Sequence, residues 1–163
     1  MIGENPKYMN KFSSQTLAEG LEEYYRLNPQ ITDPSTQPEE FSNILKAHDV
    51  GHVIYACDTC MRDELKILPM FWWSSECSFF TYLTIKNSPA VDVMYRDMVS
   101  EKGELNLILS IIKTLPLVFL DVIPIWLKTR KRRKLLPFLG YQCLLDRRLV
   151  DIRKEYCLMG IIN

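Results

Sequence analysis

The chain contains two histidines, His48 and His52, four positions apart. On an α-helix, residues at i and i+4 project side by side, with Cβ atoms about 5–6 Å apart, so two imidazoles can face one metal ion. Asp49 adds a carboxylate beside the first histidine, and further acids follow at Asp58, Asp63 and Glu64. The competing structural reading is a pair of core histidines satisfied by backbone carbonyls. Two imidazoles placed together in an apolar interior desolvate each other with no structural gain, so their spacing favours a metal site. The pattern is close to the H-E-x-x-H of zinc peptidases, where the glutamate is the general base. Here Asp49, one methylene shorter, holds that place, which argues against a peptidase and leaves other metallohydrolase chemistry as an alternative.

The element that must carry these residues is a helix opening at Thr36 and Glu39, which have T-x-x-E capping-box spacing. Its apolar side reads Phe41, Ile44, Leu45, His48, His52, Tyr55, six positions within a sector of about 100°. Both histidines lie in line with that stripe and Asp49 lies on its flank. A second box, Thr16 with Glu19, predicts a helix over Leu17 to Leu27. Between the two helices, Asn28 to Pro38 is a loop holding Pro29, Pro34 and Pro38. Further helices are expected over Arg62 to Leu68, ending before Pro69, and over Phe71 to Ile85, Ala90 to Glu101, Glu104 to Leu115 and Leu149 to Leu158. A turn is expected at Gly103, and Pro116 and Pro124 are expected to break the apolar run that follows. No strand-like alternation, phosphate-binding glycine loop or internal repeat is visible. The expectation is an all-α, single-domain helical bundle over 1–163, with the metal motif in 36–64.

Composition sets the bounds. The 163 residues carry 20 basic and 20 acidic side chains and are 47% hydrophobic, which describes one folded domain and excludes disorder. A chain of this length buries roughly 70% of the surface it exposes when unfolded. Zero net charge removes any global case for nucleic-acid binding. Five cysteines and a polar stretch from Met1 to Phe12 point to reduced thiols in an intracellular protein. Cys57-x-x-Cys60 lacks the second C-x-x-C of a zinc ribbon, because Phe80 stands three positions after Cys77.

His48-Asp49-Val50-Gly51-His52, followed after eleven residues by Glu64, is the pattern H-D-x-x-H-x11-E. It resembles the Coq4 family of ubiquinone biosynthesis proteins, and Leu149 to Glu155 with the terminal Gly160-Ile161 is similar to that family's closing helix. The resemblance implies an all-helical protein of coenzyme Q synthesis working at a membrane surface. It implies a divalent metal held by His48, Asp49, His52 and Glu64; zinc is the expected ion, with magnesium or iron as alternatives. The implied activity removes the C1 carboxylate of a polyprenylated hydroxybenzoate and hydroxylates the same carbon. Zinc is not redox-active, so the oxidation would rest on reaction of the electron-rich ring with dioxygen or on a redox-active metal. The family is also described as an organiser of other biosynthetic enzymes, which leaves a non-catalytic quinone-binding scaffold as an alternative. The implied location is cytoplasmic and peripheral to the membrane in a bacterium, or the matrix face of the inner membrane in a mitochondrion. A homodimer is a further implication.

That ligand set imposes a geometric condition. On one straight helix, Glu64 would stand about 18 Å along the axis from His52 and about 120° around it. The chain must therefore change direction between them, and the polar run from Asp58 to Asp63 is the expected place. Two apolar stretches, Ile67 to Ile85 and Leu105 to Leu127, are each interrupted by charge or proline and are expected to be buried helices, not membrane spans. Phe71 to Ile85 and Leu115 to Leu127 could together line a tunnel for a polyprenyl chain. Lys128, Arg130, Lys131, Arg132, Arg133 and Lys134 put six cations in seven positions; without them 14 basic residues face 20 acids, a net of −6. Such a cluster suits an anionic membrane surface, at about 1 kcal/mol per nearby cation. A solvated face is the alternative reading. Nucleic acid is not expected, since no nucleic-acid-binding module accompanies the cluster.

Overall fold

The computed structural model describes residues 5–77, 89–130 and 135–162. Within them lie six α-helices: α1 (Leu17–Leu27), α2 (Glu39–Tyr55), α3 (Met61–Ser74), α4 (Pro89–Lys102), α5 (Glu104–Thr129) and α6 (Leu149–Glu155). The described residues contain no strands, only isolated bridges at Thr16–Arg148 and Ser75–Leu136. The fold is an all-α, single-domain helical bundle, as the periodicity predicts.

Helix α1 begins where its sequence says it should. The Thr16 side chain accepts from the Glu19 amide, and the Glu19 carboxylate accepts from the Thr16 amide, so two otherwise orphaned donors are satisfied locally. Helix α2 starts differently from the expectation. Thr36 ends a short 3₁₀ turn, Pro34–Thr36, and its hydroxyl donates to the Asp33 carbonyl at 2.7 Å, so it does not cap α2. Pro38 is the N-cap residue instead. Around α2 pack α1, α3, α4 and α6. Beyond Leu45 the helix is accordingly buried on more sides than one stripe allows: Ala47, Val50, Val53, Ile54 and Tyr55 are all buried.

Two contacts fix α2 in that position. Gly51 faces the Phe71 ring so closely that a Cβ there would sit 2.1 Å from Phe71 Cζ. The absence of a side chain at 51 thus sets how near α3 approaches the histidines. At the far end of α2, the fully buried Arg153 guanidinium donates to the carbonyls of Val53 and Ile54 at 2.8 Å each. It also donates to Tyr8 and Asn10 at 2.6 Å, tying the N-terminal segment to the same helix end. Burial pulls its pKa down to about 10, yet it remains a cation at the negative end of the α2 dipole.

The prolines do not end helices as expected. Pro69 lies inside α3, and Pro116 and Pro124 lie inside α5, so the helix expected to stop at Leu115 runs on to Thr129. Ile112 and Leu120, whose carbonyls lose their usual donors to these last two prolines, are both exposed residues. Gly103, at φ +76°, makes the turn between α4 and α5. Helix α5 lies along α3, held there by a two-pronged ion pair from Arg62 to Asp121 at 2.7 and 2.8 Å.

The expected burial of Leu105 to Leu127 is overturned. Only 11% of the apolar window of α5 is buried, and the helix is long and apolar enough to cross a membrane by length and composition. Leu107, Val118 and Ile125 face inward, while eleven large apolar side chains on α5, Phe119 and Leu120 among them, are exposed. In the earlier stretch Ile67, Met70, Phe71 and Cys77 are buried as expected. The helix expected over Phe71 to Ile85, however, is the end of α3 and stops at Ser74, where the Ser75 amide donates to the Phe71 carbonyl as the chain turns extended. The rest of that stretch, 78–85, lies outside the described residues, as do Lys131, Arg132, Arg133 and Lys134. Of the basic cluster, the structure describes Lys128, whose ammonium donates to the Gly160 carbonyl, and Arg130, whose guanidinium lies 5.1 Å from the Trp126 ring. All five cysteines are free thiols; Cys57 is buried in the α2–α3 turn and Cys60 is exposed at the α3 N-cap.

Candidate metal centre

His48 and His52 stand on consecutive turns of α2 with ring centroids 4.7 Å apart in an edge-to-face arrangement. Helix α2 ends at Tyr55, and Ala56 takes a left-handed conformation at φ 54° that reverses the chain. The Asp58 amide then donates to Asp63 Oδ2 at 2.7 Å, which closes the turn onto the first residues of α3. Glu64 lies in the first turn of α3 and so comes back beside the histidines. The change of direction that the motif requires is therefore present, and it begins two residues before Asp58. Sequence alone hid it there, because Ala56 carries no glycine signal.

His48, His52 and Glu64 form a group whose ligand atoms all lie within 4.8 Å of one another, a set that could hold a metal ion. Glu64 Oε2 is 3.6 Å from His48 Nε2, and Glu64 Oε1 is 3.4 Å from His52 Nε2. His52 is fully buried, and neither of its ring nitrogens has a hydrogen-bond partner among the described residues. Leaving a buried polar atom unsatisfied costs about 1–3 kcal/mol. The stacked face of Tyr24, 5.4 Å away, fills the ring's flank without offering that partner. An imidazole and a carboxylate are suitable donors for a divalent ion. A cation between His52, His48 and Glu64 would account for His52 Nε2, the ring nitrogen that faces Glu64.

The electrostatics of the metal-free pair agree. Burial works against a charged His52, but the Glu64 carboxylate, and after it Asp49, outweigh that and hold the ring above its ordinary pKa. Burial likewise works against an ionised Glu64, and His52, His48 and more distantly Lys102 hold it below the usual carboxylate range. A half-buried carboxylate held in its charged form is what a cation site needs.

Asp49 is placed differently from the other three motif residues. It is buried, its Oδ2 accepts a hydrogen bond from the Tyr25 hydroxyl at 2.8 Å, and its Oδ1 stands 3.6 Å from His48 Nδ1. It thus faces the ring nitrogen of His48 opposite to the one near Glu64. Tyr24 and Tyr25, which complete this surround, were not read from the sequence; they lie on α1, and only the packing of α1 on α2 brings them here.

Two cavities meet at the cluster and share His48, Glu64 and Met98 in their walls. One, of about 70 Å³, is partly polar, with Thr32, Asp49, Thr59, Asp97 and Lys102 in its lining. The other, of about 220 Å³, is apolar, walled by Ile44, Leu65, Leu68, Phe71, Trp72 and Phe138 among others. Of the two stretches expected to form a tunnel, Phe71, Trp72 and Cys77 of the first contribute. From α5 it is Ile111, before the expected 115–127 stretch, that reaches the cavity.

Fold and site together define an all-helical protein with a candidate metal centre between α2 and α3. Comparison with protein-family models, with curated proteins and with solved structures finds no match for this chain.

Proposed function

We propose that this chain is a Coq4-like protein of ubiquinone biosynthesis that removes the C1 carboxylate of a polyprenylated hydroxybenzoate and hydroxylates the same carbon at a membrane surface. The observation that carries the reading is the buried His52, with neither ring nitrogen hydrogen-bonded among the described residues, beside His48 and Glu64 where a partly polar and an apolar cavity share walls. That is the arrangement a substrate with a polar ring and a long apolar tail requires. His48, His52 and Glu64 would hold a divalent ion, zinc before magnesium or iron on the strength of two imidazoles in the set. When bound, such an ion stabilises negative charge developing on the substrate's carboxylate or phenolate oxygens.

The residues of the chain do the rest. Phe71 and Phe138 wall the apolar side and exclude water from the tail. Lys102, in the polar lining, places a cation where the substrate's carboxylate would enter. In the net reaction the bond from C1 to the carboxylate breaks and its carbon leaves as carbon dioxide, water supplies the hydroxyl that replaces it at C1, and dioxygen takes up the two electrons released and leaves as hydrogen peroxide. The exposed apolar face of α5 and the cations at its end favour peripheral attachment to an anionic membrane, where such a lipid resides. That attachment is cytoplasmic in a bacterium and on the matrix face of the inner membrane in a mitochondrion. Other enzymes of the same synthesis, and a second copy of the chain, are the partners this reading implies.

The test is metal analysis and lipid mass spectrometry on one purified sample, followed by incubation with a prenylated hydroxybenzoate in air. Stoichiometric divalent metal, a co-purifying prenylated phenol and release of carbon dioxide are expected. Metal and lipid without turnover would move the protein to the scaffold role, and a metal-loaded protein without prenyl lipid would defeat the quinone reading.

A further inference from the structure

We propose that Asp49 is not a ligand of the metal centre but its positioning residue: held by the Tyr25 hydroxyl, its carboxylate fixes the His48 ring through Nδ1 so that Nε2 is presented to Glu64. The proposal rests on the metal reading above and changes the ligand set that the H-D-x-x-H-x11-E pattern implies.

Three observations carry it. Asp49 and His48 are neighbours on one helix, so their side chains leave the axis about 100° apart, and here His48 faces Glu64 through Nε2 while Asp49 faces Tyr25. The ligand atoms that gather within 4.8 Å belong to His48, His52 and Glu64, without Asp49. One oxygen of the Asp49 carboxylate accepts from Tyr25 at 2.8 Å, and the other stands 3.6 Å from His48 Nδ1, within ion-pair reach.

The chemistry of such a pair is definite. An imidazole that gives one nitrogen to a metal must carry its proton on the other, and a carboxylate facing that proton selects the tautomer and raises the basicity of the ligating nitrogen. The Tyr25 hydroxyl can only donate to Asp49, since burial, and then the Asp49 charge, push its pKa above the ordinary phenol value. Tyr25 therefore holds the carboxylate without competing for the metal. His52 has no such support, because neither of its nitrogens has a hydrogen-bond partner among the described residues. The two histidines are therefore unequal: one is oriented by a carboxylate and the other by packing against Tyr24.

The experiment compares wild type with Asp49→Ala, Asp49→Asn, Tyr25→Phe and His52→Ala. Zinc affinity is read by chelator competition, the donor set by the absorption of the cobalt(II)-substituted protein, and the His48 tautomer by ¹⁵N NMR of the metal-free protein. Asp49→Ala is expected to weaken zinc binding about 10–100-fold at unchanged stoichiometry, with the cobalt bands unmoved. His52→Ala should move or abolish those bands. Asp49→Asn keeps an oxygen that can accept from Nδ1–H and should recover most of the affinity, and Tyr25→Phe should cost a few-fold. In the metal-free wild type His48 should carry its proton on Nδ1, and in Asp49→Ala it should become a mixture of tautomers while His52 is unchanged. Cobalt bands altered by Asp49→Ala as they are by His52→Ala would make Asp49 a ligand and overturn the proposal. Unchanged zinc affinity would overturn it as well. A wild type that takes up no divalent ion defeats the metal reading, and the tautomer measurement then decides the Asp49–His48 pairing by itself.

Discussion

Helix α2 buries one imidazole and a carboxylate beside a second, half-buried imidazole, whereas helix α5, the longest in the molecule's described residues, turns eleven large apolar side chains outward. The two depart from the usual partition of side chains in opposite senses. On α2 the polar groups lie inward and one of them, His52, has no hydrogen-bond partner among the described residues. On α5 the apolar groups are outside, with a contiguous face far larger than scattered surface leucines would make. Each departure raises the free energy of the isolated chain, and each would be relieved by a different kind of partner: a cation for α2, an apolar phase for α5.

The contrast predicts that changes around α2 damage the fold or the metal site, while changes on the outer face of α5 spare both. The largest effect belongs to His52→Ala, which should take bound metal from stoichiometric to undetectable while circular dichroism keeps its helical signal. Stoichiometric metal in that variant would dissolve the α2 side of the contrast. Arg153→Met should follow, at about 3–4 kcal/mol of lost stability, because it strands buried carbonyls at Val53, Ile54 and Tyr8. Urea unfolding gives the number, and a loss below about 1 kcal/mol would show that solvent reaches that end of α2.

Gly51→Ala comes next. Its new methyl meets the rigid Phe71 ring, so about 1–3 kcal/mol should be lost and α3 pushed outward with Glu64. Zinc affinity should fall in parallel, and adding Phe71→Leu should restore part of both, which separates overpacking from loss of helix. The smallest effect on the folded chain is expected from Phe119→Ser with Leu120→Ser. Stability should stay within about 0.5 kcal/mol, while partitioning onto anionic vesicles falls at least about tenfold, since each side chain gives up roughly 1.5–3 kcal/mol of apolar transfer. A marked drop in melting temperature together with unchanged vesicle binding would mean that this face is covered by protein.

How much of this could be read beforehand depends on how local the controlling interaction is. The Thr16–Glu19 box lies within four residues, and helix α1 has the bounds that its spacing predicts. The same spacing at Thr36 and Glu39 failed because the Thr36 hydroxyl is taken by Asp33, a competition the spacing does not record. Pro69, Pro116 and Pro124 suggested helix ends. The chain continued helical through each, since packing along α3 and α5 outweighs one lost hydrogen bond per proline. The His48–His52 pairing was legible from a spacing of four. The approach of Glu64 was legible only as a condition, because it depends on a left-handed Ala56 and on Gly51 admitting Phe71.

By itself the sequence determined the all-helical character, the pairing of the two imidazoles on one face and the concentration of cations after Trp126, because periodicity and charge are properties of neighbouring residues. Tertiary structure alone decided that Asp49 looks toward Tyr25, that Arg153 gathers the carbonyls of two distant segments, and that α5 lies open. Each of these depends on which surfaces meet across long stretches of chain, 24 residues for Asp49 and Tyr25 and 145 for Arg153 and Tyr8, or fail to meet, and hydrophobic burial is indifferent to direction until packing assigns it one.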